Sequence, residues 1–175
     1  TAEHDRVFLV DGRTDRRIVY REAGPVEARR TLLLIHGVGG SKADWMFAGP
    51  ELAREYRVIA VDMLGHGDAD KPRDAEYTMS AQAGRLRQLV RALELRDVVI
   101  VGASYGGGVA LELATDLWAS ERERVAGVVL IGAAGLAFEA QPGYAFIQSP
   151  VLRELAVGLA NGDLLGPQLV AGSFH

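Results

Sequence analysis

The chain has 175 residues, 49% of them hydrophobic, and 19 basic against 23 acidic side chains give a formal charge of −4. That is long enough for one domain with its own core and too apolar for disorder. It lacks the basic excess that nucleic acid or an anionic membrane surface would attract, and the absence of cysteine excludes disulfides and thiolate metal sites.

In chain order, Val7–Val10 and Arg17–Arg21 read as two short strands joined through Asp11-Gly12 as a hairpin. Thr31–Ile35, Arg57–Val61, Val98–Val101 and Val125–Ile131 are four nearly continuous apolar runs, the pattern of strands buried on both faces. Lys42–Glu55 is compatible with a helix. Met79–Leu95 sets Met79, Ala83, Leu86, Val90 and Leu93 along one helical stripe, and residues 109–118 do the same with Val109, Ala110, Leu113 and Leu117. Strand and helix alternating after a hairpin predict an α/β fold with a doubly wound, mostly parallel sheet. From about Leu136 the pattern changes to short amphipathic helices, so residues 1–135 read as the core and 136–175 as the start of a helical cap. The first residues, Thr-Ala-Glu-His-Asp-Arg, carry no apolar signal region and no run approaches membrane-spanning length. The expectation is a cytoplasmic protein.

Between the strand at 98–101 and the following helix stands Gly102-Ala103-Ser104-Tyr105-Gly106, which satisfies G-x-S-x-G in a strand–turn–helix setting. A corner this tight strains its central residue, and glycines two positions either side let strand and helix approach. The serine oxygen then stands beside a helix N-terminus, which favours negative charge. A second glycine-rich turn, His36-Gly37-Val38-Gly39-Gly40, leaves the strand at 31–35. It misses a dinucleotide fingerprint because position 42 is Lys, and it is no P-loop because Lys42 follows Ser41. Its backbone N–H groups, at the carboxyl end of a strand, suit an oxyanion. A third stretch leaves the strand at 57–61 through Asp62 into Gly65-His66-Gly67. There Asp62 is expected to tie down its loop through backbone N–H groups, and His66 to pack in that loop rather than act in chemistry.

These stretches together resemble the α/β-hydrolase family, over nearly the whole chain from the first hairpin to the start of a cap. His36-Gly37-Val38-Gly39 is similar to the family's oxyanion loop, Asp62 through Gly67 to its D-x-x-G-x-G loop, and Gly102–Gly106 to its nucleophile elbow. The resemblance implies that Ser104 is the nucleophile and that the backbone N–H groups of Val38 and Tyr105 hold the oxyanion. His36, Gly37, Gly39, Asp62, Gly102 and Gly106 would support them. It implies an esterase or C–C bond hydrolase acting on a small-molecule acyl substrate, with no cofactor and no metal. Serine at the elbow sets the chain apart from haloalkane dehalogenases and epoxide hydrolases, which use aspartate there.

One departure stands out. A serine hydroxyl needs a base, and the family orders its triad as serine, acid, histidine. After Ser104 the only histidine is His175, and none of the acids that follow ends a predicted strand. The acid and histidine are therefore expected from outside this segment, from a complementing C-terminal chain or segment. A homodimer pairing along the strand at 125–131 is the other arrangement considered. The alternative function is a catalytically inactive binding or scaffold module that keeps Ser104 in a ligand pocket.

Overall fold

The structure, a computed structural model, describes residues 4–134. Contacts divide the chain into Thr1–Leu136 and Ala137–His175. The expected cap helices and His175 lie outside the described residues.

Six strands form one sheet: β1 (His4–Leu9), β2 (Arg17–Ala23), β3 (Thr31–Ile35), β4 (Arg57–Asp62), β5 (Val98–Ala103) and β6 (Val125–Ile131). Their spatial order is β1-β2-β4-β3-β5-β6. The β1–β2 and β2–β4 pairs are antiparallel, and the β4–β3, β3–β5 and β5–β6 pairs are parallel. The hairpin and all four apolar strands stand where the sequence predicts them, within a few residues at each end. Asp11 and Gly12 turn the hairpin with φ of 52° and 69°, and the Val10 N–H donates to the Arg16 carbonyl at 3.0 Å.

The alternation of side chains along β3 and β4 sorts the core into two layers. Leu33, Ile35, Ile59 and Val61 face α2 (Met79–Ala92) and α3 (Tyr105–Ser120), packing on Leu86, Leu89, Val109 and Leu113. Leu32, Leu34, Val58 and Ala60 face the opposite way, against Trp45, Leu52 and Tyr56. Covering on both faces is what apolar parallel strands need.

One expectation changes. The helix-compatible stretch 42–55 is not one helix but a 3₁₀ turn, Lys42–Trp45, followed by the short helix α1, Ala48–Leu52. Ser41 caps the turn, its side chain accepting from the Ala43 N–H, while Gly49-Pro50 falls in the first turn of α1, where a missing N–H costs nothing. Among the described residues no helix is long and apolar enough to cross a membrane.

Candidate active site

β3 is followed by β4 on one side, and β5 by β6 on the other, so the chain reverses its winding between the adjacent strands β3 and β5. In open α/β sheets, the crevice outside the carboxyl ends of two such strands is where ligands bind. Both glycine-rich turns leave from those two ends.

Ser104 sits at the β5–α3 corner with φ 51° and ψ −119°, one of only a few non-glycine residues with positive φ among those described. A serine in that region is strained and is held there by its surroundings. Its N–H donates to the Ile131 carbonyl at 2.9 Å, and its carbonyl accepts from Gly107 at 2.9 Å and Ala134 at 2.8 Å. Its half-buried side chain makes no capping bond to α3, so the hydroxyl is left for other partners. The flanking glycines explain how the corner closes. A Cβ on Gly106 would overlap the carbonyl oxygens of His36 and Ile35, and one on Gly102 would overlap the Gly106 carbonyl. Any larger residue at Gly106 would push α3 off the end of β3.

The oxyanion-loop candidate runs directly over this corner. A Cβ built on Gly37 would stand 3.3 Å from the Ser104 Cβ and 3.9 Å from its Oγ. Val38 follows, 75% exposed as a residue, then Gly39 at φ 72°, and the turn closes with Gly40 N–H on the Gly37 carbonyl at 3.2 Å. Tyr105 is the first residue of α3, so its N–H is one of the four that have no acceptor within the helix. Its phenol donates to the Tyr77 carbonyl at 2.6 Å, and burial raises its pKa, which keeps it a neutral donor.

His36 bridges the Gly37 turn and the exit of β4. Its ring is fully buried, with Nδ1 2.7 Å from the Gly37 carbonyl and Nε2 3.1 Å from the Met63 N–H. That pair of bonds requires the neutral ring with its proton on Nδ1, and burial pushes the pKa below its ordinary value accordingly. With both nitrogens occupied, His36 is no base for Ser104. The His66 ring packs against His36, centroids 4.9 Å apart, with Nδ1 3.3 Å from the Leu64 carbonyl.

Asp62, at the end of β4 and wholly buried, accepts from the Asp68 N–H at 2.9 Å, within its own loop. It also takes two bonds from a residue that the sequence reading passed over. The Lys42 N–H lies 2.6 Å from Oδ1 and the Lys42 Nζ 2.8 Å from Oδ2. Burial alone would lower the Lys42 pKa, but its bonds to Asp62 and Asp68 outweigh that and raise it. The available signal was an acid ending an apolar strand: a carboxylate so placed needs a cation, and no lysine or arginine is near it within its strand. Gln82 and Arg85 were missed as well. Both fall on the buried face of α2, where Gln82 Nε2 donates to the Leu64 carbonyl at 2.8 Å and Arg85 to the Glu76 carbonyl at 2.6 Å. Among the described residues no group of three His, Cys, Asp or Glu is placed to hold a metal ion.

The profile described as alpha/beta hydrolase fold matches residues 30–156. The chain is 42% identical over 110 residues to a 2-hydroxymuconate semialdehyde hydrolase of a Pseudomonas species, a match covering 61% of this chain and 38% of that relative. It resembles the solved structure of a meta-cleavage product hydrolase from Pseudomonas fluorescens, with a TM-score of 0.65 and 33% identity over 79% of this chain and 48% of that one. A haloalkane dehalogenase from Agrobacterium tumefaciens, at a TM-score of 0.74 and 24% identity, shares the fold over 91% of this chain and 53% of its own. The chain thus spans about half the length of these structures, or less of the curated relative. The strand order, the helices on both sheet faces and the match of the family profile agree, and the chain belongs to the α/β-hydrolase fold family.

Proposed function

We propose that this chain carries the nucleophile and the oxyanion hole of a serine hydrolase acting on an ester or on a carbon–carbon bond beside a carbonyl. The observation that carries this reading is Ser104 held at φ 51° beneath the Gly37 turn, at the switch point of the sheet. In the reaction, the Ser104 Oγ attacks the carbonyl carbon and passes its proton to a histidine. The negative charge that forms on the carbonyl oxygen is stabilised by the N–H groups of Val38 and Tyr105. Collapse expels the leaving group with that proton, and water repeats the sequence to release the acid. The similarity to hydrolases named for 2-hydroxymuconate semialdehyde and for meta-cleavage products favours the carbon–carbon variant.

The acid and histidine come, on this reading, from the remaining half of the same fold, in this chain or a second one, docked along the outer side of β6. Two observations support that placement. β6 is an outer strand of the described sheet, with Val128, Val129 and Ile131 between 37% and 49% exposed. Its last residue is bonded to the elbow through the Ile131 carbonyl, so a strand beside it ends close to Ser104.

Labelling of the full-length protein with a fluorophosphonate, followed by peptide mass spectrometry, tests the reading. The expected result is one adduct on Ser104 that a substrate-like ester competes away. A full-length protein that binds small acyl ligands yet takes no label is a binding module instead.

A further inference from the structure

The turn that is to present the Val38 N–H is poorly suited to hold its own shape. Residues 37–41 include three glycines, and Val38 points into solvent rather than into the core. The Gly40–Gly37 bond closes the turn; its other bonds, the His36 Nδ1 on the Gly37 carbonyl and those of Ser41 with Ala43 and Asp44, lie at its two ends, which set its position. Those ends are fastened to consecutive residues at the exit of β4. At the first, the His36 Nε2 accepts from the Met63 N–H; at the second, Lys42 binds the Asp62 carboxylate with both its backbone N–H and its ammonium.

The second fastening is costly to build. The Lys42 side chain is 5% exposed and that of Asp62 is not exposed at all, so two charges have been taken out of water. A well-packed apolar pair commonly stabilises a fold as much as a buried ion pair does, or more. An ion pair gives direction instead. Both Asp62 oxygens are used by Lys42, and Oδ2 also accepts the Asp68 N–H. The Lys42 Nζ in turn reaches Asp68 Oδ2 at 2.6 Å. Gly67, at φ 49°, lets the loop close over the carboxylate, which a Cβ there would overlap. The carboxylate is thereby left with a single orientation.

We propose that Lys42 is a positioning residue: paired with Asp62, it sets the far end of the 37–41 turn and so the distance of the Val38 N–H from the oxygen that forms on Ser104. This rests on the hydrolase reading above. The functional consequence is specific to the transition state, because a donor displaced from the oxyanion weakens charge stabilisation without changing how substrate is bound. Removing an oxyanion donor outright costs about a hundred- to a thousandfold in kcat. Loosening one is expected to cost about tenfold.

The test uses the full-length enzyme and the paired variant Lys42→Met/Asp62→Asn, which leaves no buried charge unpaired; Asp68 and Asp5, which Lys42 also meets at 2.6 Å and 3.7 Å, keep their carboxylates in contact with solvent. Its control is Arg57→Met/Glu22→Gln, which removes the ion pair at the opposite, amino end of β4, where Arg57 Nε lies 2.8 Å from Glu22 Oε1. On a p-nitrophenyl ester, the Lys42 variant should lose about tenfold in kcat with KM within twofold of the parent. Phenylboronic acid, which places an oxygen in the oxyanion hole, should lose affinity by a similar factor. The control should keep kcat within twofold. A kcat within twofold of the parent in the Lys42 variant, a loss residing in KM, or an equal kcat loss in the control overturns the proposal. If the parent itself neither turns over the ester nor takes the fluorophosphonate, the hydrolase reading fails, and amide exchange still decides the positioning role. Exchange at residues 37–41 should then be at least tenfold faster in the Lys42 variant with α3 unchanged, and unaltered exchange overturns it.

Discussion

β1 reads His-Asp-Arg-Val-Phe-Leu and β6 reads Val-Ala-Gly-Val-Val-Leu-Ile, and both are outer strands of the described sheet. β1 meets solvent with charge. Asp5 pairs with Arg21 at 2.7 Å, and Arg6 with Glu22 at 2.9 Å, so the row of free backbone groups on its outer side is flanked by hydrated side chains. β6 has no ionisable residue, and beside it an apolar groove is lined by Ala114, Trp118, Val125 and Val128, with Trp118 51% exposed. Natural sheets blunt their edges with charge, bulges or covering elements, and an apolar edge left bare invites association. The contrast teaches that β1 carries the charge an edge strand needs and β6 does not, which fits the proposal that the rest of the fold docks beside β6. It matters for the proposed function because β6 is bonded to Ser104 through the Ile131 carbonyl.

The largest effect expected from this contrast is on turnover. With the covering half present, Ser104→Ala should reduce hydrolysis at least 10³-fold, about 4 kcal/mol of barrier, and leave the fold intact. Steady-state kinetics and a melting curve measure both, and turnover within tenfold of the parent would remove Ser104 from its role.

A charge placed on each edge compares the two directly. With the proposed covering half supplied as a separate chain, Val129→Asp should weaken its association by tenfold or more, since burying an unpaired polar group costs roughly 1–3 kcal/mol. Val7→Asp on β1 should change it less than twofold. Titration by analytical ultracentrifugation reads both, and equal losses at the two edges would break the comparison.

The start of α3, packed on the end of β3, and β6 should also differ in the room they leave. Gly106→Ala forces a methyl into backbone carbonyls and should cost about 1–3 kcal/mol. Gly127→Ala on β6, with nothing within 4 Å of the new carbon, should stay within about 0.5 kcal/mol in denaturant titrations.

The smallest expected effect is a dependence on pH. Burial holds the His36 pKa below its ordinary 6.5, so the unfolded chain takes up a proton there before the folded one does. Its contribution to stability is full above pH 6.5 and falls as the pH drops from there towards the folded pKa. In His36→Asn this part of the acid slope should disappear from urea midpoints measured between pH 7 and pH 5, whereas β6 has no ionisable group to contribute. An unchanged slope would mean that the His36 ring is not kept neutral by burial.

Much of the protein was legible in its sequence for a local reason. An apolar run such as Leu32–Ile35, the helical stripe of α2 and the glycines around Ser104 each express a preference that a few neighbouring residues settle among themselves. The chain order of strands and helices, the tight strand–turn–helix corner at Ser104 and the α/β class follow from such preferences alone. The stretch 42–55 was the local failure, because Ser41 as a cap and Gly49-Pro50 compete with an otherwise helical pattern.

What only the tertiary structure decided depends on contacts between distant residues. No local preference placed β3 beside β5, which sets the Gly37 turn over Ser104. The approach of α3 to the His36 carbonyl, allowed by Gly106, appears only once both elements are packed. The Lys42–Asp62 pair spans twenty positions and forms because burial in the assembled sheet leaves each charge no solvent to turn to. In the sequence those two residues are an ordinary lysine after a glycine-rich turn and an aspartate at the end of a strand; desolvation by the fold is what makes them partners.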